Sequence, residues 1–106
     1  MGRSGLGICS LIVMTVGVLT IVLFIPGSDS LKQKRQVVKS ILDSARSRFN
    51  VSAAEIDHLD SHRRAGIAFA CVSNDGRVAD SLLGRIRGFV ESNPLCEVTE
   101  AQMEFF

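Results

Sequence analysis

The sequence predicts an α+β domain in which two helices lie on one face of an antiparallel four-stranded sheet. Three observations lead there. Short runs rich in Val, Ile and Leu end in turn residues, two longer segments repeat their apolar residues at the helical period, and these segments follow one another as βαββαβ. A chain of 106 residues with 46% hydrophobic content supports one core, so one domain is expected.

Thr15 to Ile25 is dominated by β-branched and leucine residues, has no helix cap ahead of it and is followed by Pro26-Gly27, as expected for a strand buried on both faces. The wider run from Gly5 to Ile25 carries no charge over 21 residues, which on length alone would suit a membrane span. Glycines at 5, 7 and 17 and hydroxyls at Ser10, Thr15 and Thr20 interrupt it, and Met14 offers an alternative start. From Met14 only 12 residues remain, which as a helix would reach ~18 Å against a hydrocarbon core of ~30 Å. No small-x-small cleavage site precedes the Pro-Gly turn, so a secretory signal is not expected. Residues 1–13 therefore read as an N-terminal extension, 14–106 as the domain, and the protein as cytoplasmic with no membrane partner.

Ser30 opens the first helix, three residues before Gln33, the spacing at which a serine cap and a glutamine satisfy each other's backbone donors. Leu31, Val38, Ile41, Leu42, Ala45 and Phe49 fall on one face, and Asn50 stops the helix. Val51 to Asp57 and Arg64 to Val72 read as two strands joined by the polar segment His58 to Arg63. In the second of them Ile67, Phe69 and Cys71 alternate with Gly66, Ala68 and Ala70, which puts bulky residues on one face and small ones on the other. Asn74 or Asp75 caps a second helix that runs to about Ser92, with Val78, Ala79, Leu82, Leu83, Ile86, Phe89 and Val90 on its buried side, before Asn93-Pro94 stops it. Cys96 to Phe106 supplies a last strand, whose three glutamates suit a solvated edge. This order is the split βαβ arrangement of ferredoxin-like domains, in which the first and third strands are central.

The formal charge of +1 conceals segregation: all twelve Lys and Arg lie at or before Arg87, and the chain ends on Glu91, Glu97, Glu100 and Glu104. Cys9, Cys71 and Cys96 form no C-x-x-C pair, zinc spacing or even-numbered disulfide framework, and are expected to be reduced, buried thiols. No phosphate-binding glycine loop, dinucleotide fingerprint or nucleophile elbow is present, so no catalytic residue and no cofactor is assigned and a non-enzymatic role is expected.

The segments Ile25-Pro26-Gly27, Ser30 through Lys39 (SLKQKRQVVK), Arg48-Phe49-Asn50-Val51-Ser52, Glu55-Ile56-Asp57-His58 and Phe89-Val90-Glu91-Ser92 resemble the YlxP-like family of bacterial proteins, a domain of unknown function. The resemblance covers about Met14 to the C-terminus. It implies a ferredoxin-like fold, a cytoplasmic location and no known catalytic activity. Relatives are often encoded beside translation initiation factor two and ribosome-binding factor A, which implies a connection to RNA or the ribosome by association. The chain departs from the family pattern at Val22 and Phe24, where relatives often carry polar side chains, and at Gly84 and Gly88, which replace more usual charged residues.

On a helical wheel Lys32, Arg35, Lys39 and Arg46 fall within about 60° of one another beside the apolar face, with Lys34 and Arg48 on the other flank and Asp43 the only acid. Such a stripe suits phosphate oxygens, since each neutralised phosphate releases counterions; it is equally the pattern of a solvated helix face whose long stems cover apolar edge. The leading expectation is an accessory protein that contacts RNA or a ribosomal particle through Lys32, Lys34, Arg35, Lys39 and Arg46, helped by Arg63, Arg64 and Arg77. The alternative is a homodimeric or heteromeric interaction module using the sheet face away from the helices, where Val22, Phe24, Ala68 and Ala70 would lie and only Phe24 could stack a base. His58 and His62 are weak metal candidates, because their segment reads as a loop where four-residue spacing does not align two rings.

Overall fold

Alternation decides the two central strands. In the computed structural model, which describes residues 13–106, Leu19, Ile21 and Leu23 on one strand and Ala65, Ile67 and Phe69 on another are fully buried, while Thr20, Val22, Ala68 and Ala70 between them are half-buried on the opposite face and Gly66, beside the next strand, is buried as well. The elements are β1 (Thr15–Phe24), α1 (Leu31–Arg48), β2 (Ser52–Asp57), β3 (Arg64–Ser73), α2 (Gly76–Glu91) and β4 (Glu97–Phe105). The sheet order is β2-β3-β1-β4 and every pairing is antiparallel. This is the expected ferredoxin-like arrangement, with β1 and β3 central and the glutamate-bearing β4 at an edge. Element boundaries differ from those expected by a residue or two.

Local chemistry starts both helices as expected and ends α1 at Phe49, one residue before the expected Asn50 stop. The Ser30 hydroxyl accepts from the Gln33 N–H at 3.1 Å, and Gln33 Oε1 reaches back to accept from the Asp29 N–H at 2.7 Å, one residue earlier than a reciprocal box would. Phe49 closes α1 by donating its N–H to Ala45 O at 2.8 Å. Asp75 caps α2 by accepting from the Arg77 N–H at 2.9 Å. Val38, Ile41, Leu42 and Ala45 of α1 and Ala79, Leu83, Ile86 and Val90 of α2 join the inward residues of β1 and β3 in one core. Each such aliphatic side chain larger than alanine contributes on the order of 1.5–3 kcal/mol by leaving water. Val78, expected in that core, is instead 57% exposed: it stands in the first turn of α2 and lines a surface groove beside the helix.

Among the described residues no element lies on the other face of the sheet. Val18, Thr20, Val22 and Phe24 of β1 are half-buried, which corrects the expectation that β1 is covered on both faces. Its apolar character reflects shelter by β3 on one side and β4 on the other. At the end of β2 the register slips between Glu55 and Asp57, and Gly66 sits opposite the slip, where a Cβ would lie 2.6 Å from Asp57 Cβ. The turn that follows contains His58 with φ 56°, in the left-handed region. Cys71 and Cys96 are buried free thiols, and burial raises the Cys96 thiol pKa above its usual value. Cys9 lies outside the described residues. Among the described residues no helix is long and apolar enough to cross a membrane.

Candidate nucleic-acid interface

Secondary structure sorts the charges by layer. Within α1 stand six cations and one acid, whereas the four strands together hold Glu55, Asp57, Glu97, Glu100 and Glu104 against Arg64 alone. A nearly neutral chain is thereby folded into a domain with a basic helix and an acidic sheet, and such a field orients the helix side toward a polyanion.

The predicted contact residues do not form one patch. Lys32, Arg35, Lys39 and Arg46 are all exposed along α1. Lys39 and Arg46 share Asp43, with Lys39 Nζ donating to Oδ2 at 2.7 Å and an Arg46 guanidinium nitrogen to Oδ1 at 3.4 Å. The hydrogen bond from Lys39 is the main reason the Asp43 carboxyl titrates below its usual range, with the charges of Lys39 and Arg46 adding to it. Lys32 and Arg35 have no carboxylate partner among the described residues. They are the unneutralised part of the stripe.

Lys34 is a correction. Expected on the exposed flank, it is fully buried, its ammonium donating to Glu55 Oε2 at 2.6 Å and to the carbonyls of His58 at 3.1 Å and Leu59 at 3.5 Å. With a counter-charge and further acceptors all three ammonium hydrogens are engaged, which is how a buried lysine is tolerated. It fastens the β2–β3 turn to α1 and cannot reach a ligand from there.

Arg63 and Arg64 also leave the patch. Arg63 Nε donates to Ser28 O at 2.9 Å and its guanidinium reaches Asp29 at 3.5 Å, tying the β2–β3 connection to the loop before α1. Arg64 pairs in register with Phe24 on the open sheet face and lies 5.7 Å over that ring, on the opposite side of the sheet from the helices. The one ring expected to be free for base stacking is thus occupied by a guanidinium. Arg77 folds onto its own cap residue, and its hydrogen bonds hold the Asp75 carboxyl below the usual range. The open-face set Val22, Phe24, Ala68 and Ala70 does come together, at half-buried positions on adjacent strands.

His58 and His62 are exposed on the β2–β3 turn, and His58 stands 3.9 Å from Asp57. Among the described residues no three His, Cys, Asp or Glu side chains gather as metal ligands would.

Sequence reasoning missed one cluster. Arg48 of α1 lies 4.9 Å over the Phe89 ring of α2, Arg85 of α2 lies 5.4 Å over the Phe49 ring, and the two rings meet edge to face at 6.0 Å. The pairing crosses between helices, so no spacing within either segment announces it.

The chain is similar to known proteins in sequence and in fold. The family described as "Protein of unknown function (DUF503)" matches residues 16–103. The uncharacterised protein YlxP of Bacillus subtilis (strain 168) is 37% identical over 79 residues, 74% of this chain and 86% of its own. Among solved structures, the de novo designed protein Foldit4 superposes with a TM-score of 0.50 at 14% identity, over 87% of this chain and 96% of its own. A second designed protein, LFR1 1 with ferredoxin fold, superposes at 0.42 and 13% identity, over 87% of this chain and 82% of its own.

Proposed function

This chain belongs to the DUF503 family of YlxP-like proteins, and from that premise we propose that it is a non-enzymatic cytoplasmic accessory protein of translation or ribosome biogenesis that binds structured RNA through the sugar-phosphate backbone. The observation that carries the reading is the segregation of charge: once the buried Lys34–Glu55 pair is set aside, α1 exposes five cations and one acid, and the strands hold Asp57, Glu97, Glu100 and Glu104 against Arg64. Lys32 and Arg35 supply the unneutralised contacts, and Lys39 and Arg46 join them by exchanging Asp43 for phosphate oxygens. The open sheet face does not read bases in this scheme, since Arg64 covers Phe24.

Binding of this kind is electrostatic and insensitive to sequence. Four phosphate contacts predict a slope of about −3.5 in the logarithm of the association constant against that of salt concentration. Fluorescence anisotropy with a labelled ribosomal RNA fragment over a series of salt concentrations measures it, and a flat dependence contradicts the proposal.

A second reading, self-association through the open face, is favoured by the exposure of its apolar residues, with Val72 70% exposed beside half-buried Ala70 and Val18. It predicts a dimer by sedimentation velocity at micromolar concentration; a monomer there removes it.

A further inference from the structure

Two arginines where α1 and α2 meet lie apart from the stripe, each over an aromatic ring. Arg48 and Arg85 are both exposed, each lies over a ring of the other helix, and neither pairs with a carboxylate among the described residues. We propose that Arg48 and Arg85 form a phosphate clamp that grips the backbone of the bound RNA at the C-terminal end of α1, an inference that rests on the RNA-binding reading above.

Three physical points support it. A guanidinium held over an aromatic ring is attracted by the ring's π-face and still has five N–H donors for paired contact with a phosphate. The contact with the ring also restricts the side chain before any ligand arrives, so less rotamer freedom is lost on binding than for Lys32. Finally, Arg85 lines a groove of about 460 Å³ along α2 with Val78, Ser81 and Leu82, which gives the anion space, one hydroxyl and an apolar wall that suits a ribose. Asp75 stands at the same groove already paired to Arg77, so its charge is largely offset. On the helical wheel Arg48 lies about 140° or more from the stripe, so a backbone crossing the end of α1 would meet the two sets of cations on opposite flanks.

The test compares the full chain with R48K/R85K, which keeps both charges but removes the forked donors, and with R48Q/R85Q, which removes the charges as well. Binding of a short fluorescein-labelled RNA hairpin is measured at low salt, and the ¹⁵N-labelled arginine Nε resonances are followed during titration with inorganic pyrophosphate. The proposal expects R48K/R85K to weaken RNA binding by about tenfold and R48Q/R85Q by more, because lysine does not replace a forked contact. It also expects pyrophosphate to shift the Nε signals of Arg48 and Arg85. RNA binding that is unchanged in R48K/R85K overturns the clamp and leaves the RNA reading standing. If the unaltered protein binds no RNA while pyrophosphate still shifts those two signals, the RNA reading fails and the clamp stands as a phosphate site. Silence in both measurements overturns both. Both variants change exposed side chains, and an unaltered thermal midpoint confirms that each remains folded.

Discussion

Replacing Lys34 by methionine is expected to lower the unfolding free energy by about 3 kcal/mol, because breaking a buried pair from one side leaves the other charge uncompensated. Methionine fills much of the volume of the lysine stem, which keeps the cavity contribution small. What remains is a Glu55 carboxylate only 16% exposed and the carbonyls of His58 and Leu59, all without the ammonium that served them. In a domain of this size such a loss lowers the thermal midpoint by roughly 10–20 °C. Glu55→Gln is expected to destabilise as well, by leaving the lysine charge buried. The double substitution Lys34→Met/Glu55→Leu should cost less than the sum of Lys34→Met and Glu55→Leu made separately, since a pair removed together leaves no orphan. Urea unfolding of the single and double variants measures this cycle. A Lys34→Met variant within about 0.5 kcal/mol of the unaltered protein, as for an ordinary surface change, would contradict the burial of that ammonium.

Reversing the charges of Arg35 and Lys39 to glutamate is expected to reduce RNA affinity on the order of 100-fold at low salt. It should also flatten the slope of the salt dependence by about 2, close to one for each phosphate that no longer has a cation. Both side chains are exposed, so the fold is retained. The helix is expected to lose only about 0.5 kcal/mol as the new glutamate at position 39 faces Asp43 one turn away. The two substitutions should differ when made singly. Arg35 has no carboxylate partner among the described residues, whereas Lys39 is already half neutralised by Asp43, so Arg35→Glu should cost more binding than Lys39→Glu. Anisotropy titrations at fixed salt check the order, and an RNA affinity equal to that of the unaltered chain in the double variant would remove α1 from the interface.

The fold was legible because its strongest signals are local. Ser30, Asp75, the Pro-Gly turn after β1 and the alternation through Ile67, Phe69 and Cys71 each act within a few residues and are found in their expected roles, while Gln33 takes the Asp29 N–H in place of that of Ser30. The site was legible only in part, because side-chain partners come from other elements. Lys34 shows where a closer reading of the wheel would have succeeded. It precedes Val38 by four residues and Ile41 by seven, which places it inside the apolar arc of α1. A lysine there demands an acid, and Glu55 stands two residues from Ala53 on the inward register of β2. That strand is short and its inward residues are small or charged, so its alternation gives little apolar signal. Arg64 was also readable, since it shares the alternation of Gly66, Ala68 and Ala70 on the face away from the helices, whereas Arg63 and the Arg48–Phe89 and Arg85–Phe49 contacts depend on how loops and helices pack across the chain, which sequence spacing does not encode.

Sedimentation of ribosomal particles with the tagged protein present, at low and then at high salt, tests the central claim most directly. Binding through the exposed cations of α1 predicts that the protein travels with the particles at low salt, is released at high salt, and that the Arg35→Glu/Lys39→Glu variant stays at the top of the gradient under both conditions. Protein that remains at the top at low salt, or that cosediments undiminished at high salt and with both charges reversed, contradicts it.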